Sequence, residues 1–98
     1  MRLSYNSAAL ADARRIALRY RKDAGFEIAA SFTTEIDVCL DNIIARPASF
    51  AVTNGDIRAA NLHRFPCQIL FRLINDDSIR ILAIRHHRQR PSYGTRRR

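Results

Sequence analysis

Two adjacent histidines near the C-terminal end are the residues best suited to proton-transfer chemistry. His86 and His87 lie between Arg85 and Arg88 in the stretch AIRHHRQRP. Imidazole titrates near neutral pH, so either ring could act as a general acid or base in RNA cleavage. The alternative is a structural or interfacial histidine. No metal or other cofactor is predicted, because the chain has one further histidine and no Cys or Asp ligand spacing around the pair.

Arginines near the ends of the predicted strands form a second candidate site. The guanidinium group has a planar fork that binds phosphate or carboxylate bidentately. We expect five arginines to form a cationic surface that contacts a target or a phosphate: Arg58, Arg64, Arg85, Arg88 and Arg90. The alternative for each is a solvated charge at the end of a strand.

Tyr93 stands apart from these residues, in the C-terminal stretch RPSYGTRRR. Its ring could stack on a base, and its hydroxyl could take part in proton transfer. The alternative is that Tyr93 anchors the C-terminal segment on the body of the domain. We favour the anchor.

Positive charge is concentrated at one end of the chain. Residues 1–79 hold ten Lys or Arg and nine Asp or Glu, whereas residues 80–98 hold seven arginines and no acidic residue. Such an end favours nucleic acid, phosphate or an acidic protein as partner. We expect one domain, residues 1–98, with residues 91–98 as a flexible basic tail.

Composition excludes several classes of protein. A chain of 98 residues, 47% of them apolar, fits one small globular core. Cys39 and Cys67 have apolar neighbours, which predicts reduced, buried thiols. No stretch has the pattern of a signal peptide or a membrane span, so we expect a cytoplasmic protein with no membrane partner.

Periodicity predicts a strand and two helices in the first half of the chain. RLSY alternates as a short strand, and Ser7 is a candidate N-cap for the helix that follows. Its expected apolar stripe is Leu10, Ala13, Ala17 and Tyr20, and Gly25 would end it. A second helix follows and ends before Pro47. Its expected stripe contains Phe26, Ala29, Phe32, Ile36, Leu40, Ile43 and Ile44.

The second half changes to a period of two. PASFAVTNGD is predicted as a loop, and IRAANL, CQILFRLI and SIRILAIR as three strands. Both faces of CQILFRLI are apolar, so a partner or the remaining fold should cover the second face. The fold class is therefore α+β: an N-terminal strand, an antiparallel helical hairpin and a three-stranded antiparallel sheet, in the order β-α-α-β-β-β.

The second half also resembles the C-terminal half of the RelE/ParE superfamily of bacterial toxins. Members often carry R-R-F-P-Y-x-I-x-Y and then I-x-V-L-A-V-x-H-x-R-R-x-P. The matching residues here are Arg64, Phe65, Pro66, Ile69, Ile81, Leu82, Ala83, Ile84, His86 or His87, Arg88 and Pro91. Cys67 and Phe71 lack the hydroxyl that tyrosines of the family often supply at these positions.

This resemblance implies a toxin of a type II toxin–antitoxin pair, held inactive in a hetero-oligomer with a cognate antitoxin. The antitoxin would cover the surplus apolar surface of the central hairpin. ParE-like members inhibit DNA gyrase. RelE-like members cleave mRNA on the ribosome without metal, which would give catalytic roles to His86, His87, Arg88 and Tyr93.

We favour the ParE-like assignment, because the helical hairpin, the HRFP strand and the short tail look more ParE-like. Ala59, Ala60 and Asn61 stand where RelE-like toxins usually carry Lys or Arg. Under the ParE-like assignment the target would be DNA gyrase. Under the RelE-like alternative it would be the ribosome with its mRNA. A third hypothesis is a non-toxic basic module that binds RNA or an acidic protein through its last nineteen residues.

Overall fold

The computed structural model describes residues 1–98 as two long helices and five strands. The elements in chain order are β1 (Arg2–Tyr5), α1 (Ser7–Ala24), α2 (Phe26–Ala45), a short 3-10 helix (Pro47–Ser49), β2 (Val52–Asn54), β3 (Ile57–Asn61), β4 (Cys67–Asn75) and β5 (Ser78–His86). Neither helix is long and apolar enough to cross a membrane. The α+β class and the order of the predicted elements are confirmed.

The sheet differs from the prediction in its number of strands and in its pairing. It has five strands in the order β1-β5-β4-β3-β2. β1 pairs with β5 in parallel, whereas the other three pairings are antiparallel. The helical hairpin connects β1 at one edge of the sheet to β2 at the opposite edge. The predicted three-stranded antiparallel sheet is therefore wrong, because β1 and β2 belong to the same sheet.

The additional strand, β2, lies inside the predicted loop. All three of its residues are exposed, so the segment carries no alternation of buried and exposed positions. Only its pairing with β3, across the turn that contains Gly55, makes it a strand. This kind of edge strand leaves no periodic signal in the sequence.

Helix α1 begins one residue earlier than predicted, and three residues of the predicted stripe, Ala13, Ala17 and Tyr20, are partly buried against the main core. Asn6, not Ser7, is the N-cap, and its side-chain oxygen accepts a hydrogen bond from the N–H of Ala8 at 2.8 Å. The fully buried positions are Ala9, Asp12 and Ile16. Leu10, predicted as core, is 56% exposed. The predicted stripe omitted the most buried positions of this face because one of them is a carboxylate.

The main core lies between the helical hairpin and one face of the sheet. Its largest side chains on α2 and β4 are Phe32, Ile43, Ile69 and Phe71. Burying an aliphatic or aromatic side chain of this size stabilises the fold by about 1.5–3 kcal/mol. A cluster of three aromatic rings closes one end of this core, with centroids 5.1–5.4 Å apart: Tyr20, Phe32 and Phe65. Phe26, predicted as part of the stripe, is 70% exposed.

The second face of the sheet has its own small core. Leu70 and Ala83 are completely buried there, together with Ile57 and Leu82. The C-terminal segment contributes to their cover: a Cβ added at Gly94 would lie 2.5 Å from Cβ of Ala83 and 3.8 Å from Cδ1 of Leu70. The remaining fold, and not a partner, thus covers the centre of this face.

Both cysteine thiols are free and buried, as predicted. Burial raises the pKa of Cys39 and of Cys67 to about 11, because the apolar surroundings disfavour the thiolate. Neither thiol is therefore a ready nucleophile at neutral pH.

Gly94 tests how closely the C-terminal segment packs on the sheet, and Gly55 serves as its control. Gly94 and Gly55 both have positive φ, +77° and +59°, but a Cβ at Gly55 would meet no atom within 4 Å. Gly55→Ala should therefore show only the backbone cost of about 1–2 kcal/mol. Gly94→Ala should lower the free energy of unfolding by a further ~1–3 kcal/mol, because its methyl group collides with Ala83. Urea denaturation measures both values, and equal losses would contradict this packing.

Candidate functional site

One half of strand β5 has no neighbouring strand on its outer side. The pairing with β1 stops at Tyr5 and Ile81, whereas β5 continues to His86. Residues Leu82 and Ile84 in this half are buried. Their outward backbone groups need hydrogen-bond partners, because an unpaired buried N–H or C=O is costly.

Side chains supply these partners in place of a strand. The carboxylate of Asp12 on α1 accepts a hydrogen bond from the N–H of Ile84, with an Oδ2–N distance of 3.1 Å. Arg97 donates from Nη1 to the carbonyl of Leu82 at 3.2 Å. The Oε1 atom of Gln89 accepts from the N–H of His86 at 2.9 Å. The free half of β5 is thus capped by one helix and by the residues that follow the strand.

Asp12 also holds the C-terminal segment. Tyr93 donates its hydroxyl proton to Oδ1 at 2.5 Å, and Arg97 donates from Nη1 to Oδ2 at 2.5 Å. Arg15 adds a bond from Nη2 to Oδ1 at 3.2 Å. The Arg97 guanidinium also lies over the Tyr93 ring, 4.8 Å from its centroid. We call Asp12, Arg15, Tyr93 and Arg97 the Asp12 cluster.

The Asp12 carboxylate is only 1% exposed, and two arginines compensate its charge. Burial alone would lower the pKa of Arg97, but hydrogen bonds to Asp12 and Tyr93 outweigh it, so this pKa is raised. No buried side-chain nitrogen or oxygen in the structure lacks a hydrogen-bond partner. The cluster therefore fixes Tyr93 and Arg97 against α1. Sequence analysis did not single out Asp12, Arg15 or Arg97.

The two histidines occupy different positions. His86 pairs with Cys67 at the end of β5, on the side of the sheet that carries the helices, whereas His87 lies beyond the strand and is exposed. Nδ1 of His86 accepts a hydrogen bond from the N–H of Arg88 at 3.1 Å, so the neutral ring carries its proton on Nε2. Burial and then the charges of Arg88, His87 and Arg19 lower the pKa of His86.

Three of the five predicted arginines bind groups of their own chain. Arg64 bonds Glu35 through its backbone N–H at 2.6 Å and through Nε at 3.1 Å. Arg58 donates to the carbonyl of Phe50 at 2.7 Å. Arg85 donates to Oε1 of Gln68 at 2.7 Å, on the sheet face opposite His86.

The ion pair between Arg64 and Glu35 ties the start of β4 to α2. Burial would raise the pKa of Glu35, but the hydrogen bonds from Arg64 and from the backbone of His63 outweigh it, so this pKa is lowered. Arg58 and Arg85 lie on opposite faces of the sheet, because Arg58 pairs with Phe71 of the main core face and Arg85 pairs with Gln68 on the other face. Arg88 and Arg90 are exposed, and their guanidinium groups make no hydrogen bond within the chain.

A groove lies between α1 and the end of β5. It is lined both by residues that were predicted as site residues and by residues that were not. We call it the α1–β5 groove. Its volume is about 630 Å³, and the charged and polar residues along it include Arg15, Arg19, Tyr20, Asp23, His86 and Arg88. His86 and Arg88 were predicted as site residues. The helix residues were missed because arginines on an amphipathic helix usually indicate a solvated face.

No group of three or more His, Cys, Asp or Glu side chains in the structure is arranged to hold a metal ion. The polar chemistry of the groove comes from guanidinium and imidazole groups. These groups bind or neutralise anions, and an imidazole can also exchange a proton.

A comparison with known protein families identifies the class of protein to which this fold belongs. The family model described as ParE toxin of type II toxin-antitoxin system, parDE, matches residues 3–91. The chain therefore belongs to the ParE toxin family. A toxin of such a two-component system implies a cognate antitoxin as its partner.

A solved structure agrees with this assignment. A chain of the chromosomal ParDE TA system from P. aeruginosa is similar to this one, with a TM-score of 0.76 and 25% sequence identity. The match covers 88% of this chain and 95% of that chain. No curated protein matches the chain.

The Asp12 cluster generates a stability prediction with a control on the same helix. Asp12→Asn removes the only negative charge that compensates Arg97. It also replaces one carboxylate oxygen, which accepts hydrogen bonds, with an amide nitrogen that can only donate them. Loss of one partner from a buried ion pair typically costs about 3–5 kcal/mol. Asp23→Asn removes a carboxylate that is 60% exposed and 3.7 Å from Arg19, which should cost less than ~1 kcal/mol.

Urea denaturation of both variants measures the difference. We expect Asp12→Asn to lose several times more unfolding free energy than Asp23→Asn. Equal, small losses would mean that the Asp12 cluster contributes little to the fold.

Proposed function

We propose that this toxin arrests growth by inhibiting DNA gyrase. The observation that carries the proposal is the ParE family match over residues 3–91, since gyrase is the typical target of this family. The chain would be neutralised in a hetero-oligomer with its antitoxin. Release from the antitoxin would then expose gyrase to the toxin.

The arrangement of the candidate catalytic residues favours gyrase over mRNA cleavage. The hydroxyl of Tyr93 is bound to Asp12, and Nδ1 of His86 is occupied by the N–H of Arg88. A general acid or base must be within hydrogen-bond reach of the proton that it transfers. Tyr93 would have to leave the Asp12 cluster before it could assist such chemistry.

One observation supports the RelE-like alternative. His86 and Arg88 line the same groove, and an imidazole beside a guanidinium could combine proton transfer with stabilisation of a phosphate. His87 and Tyr93 do not line that groove. Under this alternative, His86 and Arg88 would be the catalytic pair.

A supercoiling assay tests the proposal directly. Purified toxin is titrated into gyrase with relaxed plasmid and ATP, and both supercoiled and cleaved DNA are scored. We expect loss of supercoiling together with trapped cleavage complexes. Toxin premixed with its antitoxin should have no effect, and relaxation by a type I topoisomerase should be unchanged.

A parallel assay measures mRNA cleavage on translating ribosomes. We expect intact mRNA at toxin concentrations that inhibit gyrase. Full supercoiling activity with excess folded toxin, together with mRNA cleavage that is lost in His86→Gln, would overturn the proposal and favour the RelE-like alternative.

A further inference from the structure

We propose that the α1–β5 groove binds the phosphodiester backbone of duplex DNA. This inference rests on the proposed function, in which the toxin acts on an enzyme that holds DNA. Three arginines line the groove, Arg15 and Arg19 from α1 and Arg88 from the turn after β5, against a single acid, Asp23. The groove has a volume of about 630 Å³, which is ample for a phosphate and its adjoining sugars.

Two of these arginines are available to a ligand. The Arg88 guanidinium makes no hydrogen bond to the rest of the protein, and its side chain is exposed. Arg19 has one partner, Asp23, at 3.7 Å, and the side chains are 80% and 60% exposed. An exposed ion pair of this length is weak, so a phosphate can compete with Asp23 for Arg19.

Arg15 differs because the Asp12 cluster fixes it. Its guanidinium is bonded to Asp12 at 3.2 Å and to the Tyr93 hydroxyl at 3.2 Å, yet its side chain is 52% exposed. It therefore adds a positive charge at a defined position beside the exposed arginines Arg19 and Arg88. A fixed cation loses little conformational entropy when it binds an anion.

His86 supplies a neutral donor and a spectroscopic probe in the same groove. Because Nδ1 accepts the N–H of Arg88, Nε2 carries the ring proton and can donate it to a phosphate oxygen. The charged groups around the ring are Arg88, His87 and Arg19, which together with burial lower its pKa. A bound phosphate would offset these cations and raise that pKa.

Charge outside the groove favours an extended polyanion over a single small anion. Residues 80–98 carry seven arginines and no acid, so the positive potential extends beyond the end of β5. The row of phosphates along a duplex can use this wider field, and the planar fork of arginine matches each phosphate. An acidic peptide is the competing ligand, and the experiment includes it.

The test compares two variants with the same change in net charge. Arg19→Gln with Arg88→Gln alters the groove, whereas Arg2→Gln with Arg46→Gln removes two exposed arginines elsewhere. Arg2 pairs with Ser78, at the opposite end of β5 from His86. All four side chains are exposed, so both variants should fold, and circular dichroism verifies this.

Fluorescence anisotropy with a labelled duplex of about 20 base pairs measures binding by the toxin in the absence of gyrase. We expect the groove variant to lose about tenfold or more in affinity and its salt slope to fall by about 2, since each phosphate contact contributes about 0.9. The control variant should lose less than about threefold. Equal losses in the two variants would overturn the proposal, because net charge alone would then explain binding.

Titration of His86 by NMR locates the bound DNA. The pKa of His86 in the wild-type chain should rise when the duplex is added. In the groove variant it should be higher than in the wild type before DNA is added, and it should not respond to the duplex. An unchanged His86 pKa in DNA-bound wild type would place the DNA elsewhere and overturn the proposal.

Two competitors test the class of ligand. A polyglutamate of equal charge or a single-stranded RNA that displaces the duplex at lower concentration would also overturn the assignment to DNA. The gyrase assay can fail separately. DNA binding that depends on the groove, with no inhibition of gyrase, would reject the proposed function and retain the groove as a DNA site.

Discussion

The buried carboxylate of Asp12 is the interaction on which the rest of this structure depends. It accepts hydrogen bonds from the backbone of β5, from Tyr93 and from two arginines, although only 1% of its surface is exposed. A buried acid without such partners would be strongly unfavourable. With them, Asp12 takes the place of the strand that β5 lacks beyond Ile81, and it holds the C-terminal segment against α1.

Five arginines of this very basic chain fall into two groups according to the contacts that they make. Arg58, Arg64 and Arg85 bind acceptors of the chain itself, so they hold loops and strand ends in place. Arg19 and Arg88 retain guanidinium groups that a ligand can use. The two groups differ in whether the guanidinium is hydrogen-bonded within the chain, which net charge does not show. This difference limits which arginines can contact a target directly.

Most of the fold, but little of the site, could be predicted from the sequence. Alternation in β4 and β5 and the helical periodicity gave the α+β class, because burial of apolar side chains leaves a periodic signal. β2 left no such signal, and its existence depends on pairing alone. Asp12 was missed for a different reason: periodicity counts apolar residues, whereas this position is buried because distant donors at Ile84 and Arg97 converge on it. Asp12 lies at helical spacing between Ala9 and Ile16, which was the available signal.

The most direct test of the central role of Asp12 is amide hydrogen exchange at Ile84 in the native protein, measured by NMR. Ile84 has no strand on its outer side, so its amide is protected only if the Asp12 carboxylate accepts its proton. The structure predicts exchange as slow as at Phe71, in the centre of the sheet. Exchange at Ile84 near the rate of an open strand edge, with Phe71 protected, would contradict this account.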